Sequence, residues 1–265
     1  MPYVPWRMSI PDAIPRTALV TGSARRIGRA ISLALAGAGF DVALHYHGSA
    51  EEAEGTAGAI RALGRRAATL RADLGREEEV ESLIPDATAK LGPVGVLVNN
   101  ASLFERDEWD TATRESWDAH MGPNLRAPFV LTQAMALALP DGAEGAVVNM
   151  LDQRVLSLTP HFVSYTVTKA GLWALTQTMA LALAPRIRVN GIGPGPTVAS
   201  TRQTEAQFRA QCESTPLRHG SSPEEVARAV LAILSLPAMT GQMIALDSGQ
   251  HLQWSPARAQ GGPEE

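Results

Sequence analysis

Only one cysteine, Cys212, occurs in 265 residues, which excludes an intrachain disulfide and makes a reducing compartment the simple expectation. Basic residues are not in excess. Twenty-three Lys and Arg against 27 Asp and Glu leave a net charge of −4, and no single-sign block suggests a nucleic-acid-binding tail. No apolar run reaches the ~20 residues that span a bilayer. The longest, LWALTQTMALALAP, contains polar residues. The opening MPYVPWRMSIPDAIPR lacks an apolar h-region and is broken by prolines and charges, so 1–15 reads as a loose leader, with Met8 as an alternative start. These absences predict a cytoplasmic protein that binds neither nucleic acid nor membrane. His120, His161, His219 and His251 lack metal-ligand spacing, so surface or core roles are expected for all four and no metal is. Cys212, with no histidine partner suggested, reads as an inert loop residue.

What is present alternates. Short β-like runs (17–22, 41–46, a third within 66–74, 94–102, 145–151, 187–196, 242–249) are separated by runs with helical spacing. In the first of these, Ile27, Ile31, Leu35 and Ala38 share a face and Gly39 marks the stop. Pro85 is expected to kink or split the helix over 76–92, and Pro128 to interrupt a helical region over 112–139. A helix over 161–185 ends on a proline, and a short one is expected at 203–212 in an otherwise irregular stretch. Ser222, Pro223 and Glu225 form a capping-box start for another. No linker or repeat divides the series, so the fold class is α/β: one doubly wound domain over 16–254, about seven parallel strands covered on both faces, with 255–265 as a flexible tail.

TGSARRIG (21–28) joins the first strand to the first helix. Gly22 permits a tight turn, Gly28 permits close helix packing, and the helix-start N–H groups suit a pyrophosphate. Sites for NAD place an acid at the end of the second strand to hold the ribose hydroxyls. Here that strand ends LHYHGS, with no acid. His45, His47 and Ser49 can donate to a 2′-phosphate and Arg25 or Arg26 adds positive charge, so NADP(H) is the expected cofactor.

TGSARRIG, NNAS (99–102), Asn124 in NLRAPF, YTVTK (165–169) and GPGPT (193–197) follow one another in register, and with them the chain resembles the short-chain dehydrogenase/reductase family from about residue 16 to 254. The resemblance implies a Rossmann-type fold, usually a tetramer or dimer, here a homotetramer. It places Asn124, Tyr165 and Lys169 in three catalytic roles. An unperturbed tyrosine, with a pKa near ~10, is a poor acid or base at neutral pH, and a neighbouring ammonium lowers it. Lys169 can also hold the nicotinamide ribose, and Asn124 a proton-relaying water. By the same resemblance the cofactor is met by Arg25, Arg26 and Ile27 in the glycine turn, Asp73 and Leu74 after the third strand, Asn100, Ala101 and Ser102 after the fourth, and Pro194 and Gly195 after the sixth.

The family's fourth catalytic residue is a serine, and here that position holds Asp152, thirteen residues before Tyr165. A carboxylate can only accept hydrogen bonds and would repel a developing alkoxide. A ring nitrogen that must receive a proton is a different case. One branch of the family carries Asp here: the pteridine reductases and the related dihydromonapterin and alternative dihydrofolate reductases. Arg26 inside the glycine turn, LHYH after the second strand, NNAS followed by Phe104, and DSGQHLQW are similar to that branch, whereas Gly48, the loop 197–222 and DSG for DGG depart from it. The resemblance implies a pterin-like substrate stacked on Phe104 against the nicotinamide, its polar edge met by Ser102 and Arg26. Tyr165 would protonate the ring nitrogen, and Asp152 would either position Tyr165 or donate directly. Plainer roles exist: Phe104 as core cover, Arg26 as a solvated helix-start residue, Asp152 as the cap of the following turn. Two other functions stay open, a short-chain reductase of ketones, sugars or acyl carriers, and a non-catalytic dinucleotide sensor.

Overall fold

The computed structural model describes residues 9–200 and 202–253. The leader before residue 9 with Met8, the final Trp254 of DSGQHLQW and the tail 255–265 lie outside the described residues.

Seven parallel strands form one sheet in the order β3-β2-β1-β4-β5-β6-β7. They are β1 (Thr17–Val20), β2 (Asp41–Tyr46), β3 (Ala67–Arg71), β4 (Val94–Asn99), β5 (Gly145–Met150), β6 (Ile187–Pro194) and β7 (Met243–Leu246). The order reverses between β1 and β4, which leaves a crevice at their carboxyl ends, where α/β sheets bind ligands. Alternate residues of each strand feed opposite cores: Ala18 and Val20 of β1 pack with Val96 and Val98 of β4 on one face, Leu19 and Leu97 on the other. Helices α1 (Arg26–Gly37), α2 (Ala50–Ala62) and α8 (Pro223–Leu234) cover the first face. Helices α3 (Glu77–Leu91), α5 (Ala127–Ala138) and α6 (Val163–Leu183) cover the second. The shorter α4 (Arg114–Met121) packs against α6, and α7 (Glu205–Glu213) lends Phe208 and Gln211 to the crevice.

The expected capping box at α8 is present, with Ser222 accepting from Glu225 N and Glu225 from Ser222 N. Two proline readings are corrected. Pro85 lies inside an uninterrupted α3, on its exposed side, so the carbonyl it leaves unpaired faces solvent. Pro128 sits in the first turn of α5, where no N–H is needed, and the irregularity comes earlier, as a π-helical turn over Gly122–Arg126. Packing also begins before residue 16: Ile14 is 1% exposed in the core and Glu144 N donates to Ala13 O. Cys212 lies on α7 rather than in a loop, and burial pushes its thiol pKa up, against reactivity. Among the described residues no helix is long and apolar enough to cross a membrane.

Candidate active site

The turn after β1 is built around Gly22, whose φ of +63° suits glycine, and Gly28, where a Cβ would stand 2.2 Å from the Gly22 carbonyl oxygen. Asn100 locks this turn from β4. Its amide nitrogen donates to Thr21 O at 2.8 Å and Gly22 O at 3.1 Å, and Ala101 packs against Gly22. Helix α1 then starts with Arg25 at the cap position, no side-chain cap and no acid in its first turn. By contrast α3 opens on Glu77, Glu78 and Glu79. Bare N–H groups at a helix start without carboxylates suit an anion. The turn thus fits a pyrophosphate-bearing cofactor, with Ile27 half-buried behind it.

His45 is corrected. It is 2% exposed, its Nδ1 accepts from Gly22 N at 3.1 Å, and its Nε2 faces Ala72 O at 3.1 Å. Because Nδ1 accepts, Nε2 carries the proton and donates to Ala72. Burial holds the imidazole pKa down at about 4, so it is neutral at pH 7. Both nitrogens being spent on backbone, His45 braces the glycine turn against β3 and has nothing left for a phosphate. His47 is exposed, and Ser49 makes no cap bond to α2, so these two remain available at the end of β2. Asp73 and Leu74 follow β3, with Asp73 Oδ1 accepting from Gly75 N at 2.9 Å and Leu74 buried.

The reacting end lies across the crevice. Tyr165 and Lys169 lie one turn apart near the start of α6, both buried. Lys169 Nζ donates to Met150 O at 2.8 Å and stands 5.6 Å from the Tyr165 ring centroid. Burial pushes its ammonium pKa down to about 8, with the Asp152 charge acting in the other direction. The Tyr165 hydroxyl donates to Asp152 Oδ2 at 2.9 Å. Asp152 Oδ1 accepts from Arg154 N at 2.8 Å and so also caps the 3-10 turn after β5. The capping role and the contact with tyrosine therefore coexist.

Asn124 sits in the π-helical turn, a distortion frequent at functional sites. Its amide is committed to the loop after β4: Oδ1 accepts from Leu103 N at 2.8 Å and from Ser102 Oγ at 3.2 Å, while Nδ2 donates to Leu103 O at 2.8 Å. It fastens the segment that carries Ser102 and Phe104, and its side chain is not the water holder expected. Phe104 lines the cleft, yet one face of its ring stacks on Phe162, with centroids 4.5 Å apart and planes at 8°. Phe162 has φ of +57°, uncommon for a bulky residue, and is 2% exposed. Arg26, expected at phosphates and substrate, donates to Val198 O at 3.1 Å and Ala199 O at 3.0 Å and ties the glycine turn to the loop after β6. Pro194 and Gly195 begin that loop and line the same cleft.

Sequence reasoning missed Arg154. Its side chain is 9% exposed, Nη1 donates to Asp152 Oδ2 at 3.1 Å, and its guanidinium carbon lies 5.5, 5.4 and 6.0 Å from the Phe104, Phe162 and Tyr165 ring centroids. A second missed group underlies it. Buried Asp107 accepts from Ser164 N at 3.1 Å and from Ser164 Oγ, and thereby caps α6 from another segment. His120 Nε2 accepts from Glu105 N at 3.1 Å, and its Nδ1 meets Ser116 O and Ser164 Oγ. This cluster fixes the start of α6, one residue before Tyr165.

A family model described as enoyl-(acyl carrier protein) reductase matches residues 22–251. Among solved structures, alternative dihydrofolate reductase 1 (FolM) of Brucella canis, complexed with NADP, is 44% identical, with a TM-score of 0.89 over 93% of this chain and 98% of that one. The FolM of Brucella suis, also in complex with NADP, is 45% identical, with a TM-score of 0.89 over 92% of this chain and 98% of that one. The 3-oxoacyl-[acyl-carrier-protein] reductase FabG of Staphylococcus epidermidis is 32% identical over 89% of this chain and 99% of its own. With the glycine turn, the buried tyrosine–lysine pair and the seven-stranded parallel sheet, these matches show that the chain is an oxidoreductase of the short-chain dehydrogenase/reductase family.

Proposed function

We propose that this chain is an NADPH-dependent reductase of a pterin or dihydropterin, of the dihydromonapterin or dihydrofolate kind. The observation that carries the reading is Asp152, standing where the family's ketone reductases place a serine and accepting the Tyr165 hydroxyl at 2.9 Å. NADP(H) fits the acid-free end of β2, the exposed His47 and the uncapped, acid-free start of α1, and the FolM structures hold NADP. Bound NADPH supplies the hydride, delivered to the carbon of a ring C=N. Lys169 Nζ, with one proton on Met150 O, has donors left for the ribose hydroxyls. The adjacent ring nitrogen takes its proton from Tyr165 Oη, and Asp152, flanked by Arg154, holds that hydroxyl in place. Phe104 supplies apolar cover along the cleft, and Asn124 keeps its loop in position.

The experiment is a panel assay of NADPH oxidation across dihydropterins, dihydrofolate, oxidised pterins and simple ketones. Turnover of dihydropterins well above that of ketones is expected. Efficient ketone reduction with dihydropterins and dihydrofolate untouched would replace this reading by the acyl-carrier or ketone reductase that the FabG likeness favours.

A pH dependence follows from Lys169. The ammonium that supports Tyr165 is charged below about 8 and neutral above it. Pterin reduction should therefore be level below that pH and fall about tenfold per unit well above it. A kcat/KM profile still level at pH 9.5 would contradict the role given to the lysine.

The assembly is proposed to be a homotetramer. Leu137 on α5 and Leu181 on the adjacent α6 are 84% and 83% exposed, a cost that a second copy of the chain would remove. Leu137→Asp with Leu181→Asp should yield a smaller species in sedimentation; an unchanged sedimentation coefficient would assign the contact elsewhere.

A further inference from the structure

Among the described residues, four buried side-chain oxygens have no hydrogen-bond partner, those of Thr88, Asn99, Gln153 and Ser200. Two of the four line one cleft, together with Asp152 and Tyr165. They reach it from separate segments. Gln153 opens the 3-10 turn after β5 and is 5% exposed, and Ser200 lies in the loop between β6 and α7. Two other glutamines at the cleft are bonded within the chain: Gln203 Nε2 donates to Gln211 Oε1 at 2.9 Å, and Gln203 Oε1 accepts from Ser200 N at 3.0 Å. Buried polar atoms are normally paired, because an unpaired one has lost water and gained nothing. Gln153 Oε1 can only accept, so its missing partner must be a donor, while a serine hydroxyl can donate or accept.

We propose that Gln153 and Ser200 form a substrate subsite that reads the N–H-bearing edge of a planar heterocycle. Gln153 Oε1 takes a proton-bearing amino or ring nitrogen, and Ser200 Oγ takes the neighbouring polar atom of the same edge. This rests on the pterin reading and refines it, since a pterin's pyrimidine ring carries such an edge. A 3-oxoacyl thioester presents only carbonyl oxygens near its reacting carbon and would leave Gln153 Oε1 unpaired. A site that pairs its own buried groups with a substrate N–H discriminates strongly against analogues lacking it. Beside this position Arg154 Nη1 donates to Asp152 Oδ2.

The test compares wild type with Gln153→Leu, Gln153→Glu and Ser200→Ala in steady-state kinetics, using a 7,8-dihydropterin and its analogue methylated at N3 and dimethylated on the 2-amino group, which keeps no N–H on that edge. NADPH affinity by fluorescence reports on folding. Gln153→Leu should raise KM for the parent about tenfold or more with kcat within about threefold, and Gln153→Glu, which keeps the acceptor, should recover most of that loss. On the methylated analogue wild type and Gln153→Leu should be alike. An unchanged KM for Gln153→Leu, or an equal penalty on parent and methylated substrates, overturns the subsite while leaving the pterin reading intact. A wild-type enzyme inactive on every dihydropterin overturns the pterin reading and the subsite with it.

Discussion

Replacing Tyr165 with phenylalanine should lower kcat for pterin reduction by about 1,000-fold, about 4 kcal/mol of barrier, and leave NADPH affinity within about threefold. The ring survives the change. It is 6% exposed and meets Phe104 edge-on at 4.6 Å and 70°, contacts that phenylalanine repeats. Only the hydroxyl is lost, and with it the proton held between Tyr165 and Asp152. Lys169 keeps its bond to Met150 O, so the cofactor side stays in place. A loss that fell on KM alone would mean that the hydroxyl binds substrate without protonating it. The same variant decides between enzyme and sensor: a regulatory effect surviving in a protein that binds NADPH and turns nothing over would favour the sensor.

The sheet was legible because its signals are local. Apolar strands with glycine or polar ends, the periodicity of α1 and the Ser222–Glu225 capping box depend on neighbours within one turn. Where the structure departs, the deciding fact lies in the surroundings. Pro85 reads as a breaker unless one knows that it lies on the solvent side of α3. The irregular turn at Gly122–Arg126 is marked by Gly122 and Pro123 rather than by Pro128, which falls six residues after the turn begins, inside the first turn of α5.

The site divides along the same line. Tyr165, Lys169 and Asp152 were readable from one segment, and the structure places them together. His45 was misread because the pattern shows a strand-end histidine near the phosphate turn and hides that both nitrogens face backbone. No spacing marks Arg154, two residues beyond Asp152, as part of the site. Only the turn after β5 brings it back among three aromatic rings. The Asp107–Ser164 pairing spans 57 residues, and no spacing rule reaches that far. Long-range polar pairs of this kind hold catalytic groups in place, and they are the part of a site that a sequence read alone conceals.

Asp152→Ser should weaken pterin reduction at least tenfold, about 1.4 kcal/mol of barrier, while ketone reduction stays level or rises. Serine brings a donor suited to a substrate carbonyl and removes the carboxylate that holds the Tyr165 hydroxyl. It also strips Arg154 of that carboxylate at a side-chain exposure of 9%, and breaking a buried ion pair typically costs about 3–5 kcal/mol of stability. A fall in activity alone is therefore ambiguous, and two further variants resolve it. Asp152→Asn keeps the shape and one acceptor oxygen, so it should retain more stability than serine and still lose pterin turnover if the negative charge matters. Asp152→Ser with Arg154→Met removes the guanidinium together with its carboxylate and should recover melting temperature. If pterin turnover returns with it, the aspartate serves the fold through Arg154. If turnover stays down in a stable double variant, the carboxylate acts on Tyr165, and the pair Asp152–Tyr165 is what separates this site from a ketone reductase on the same scaffold. A single variant with full pterin activity would remove Asp152 from the mechanism.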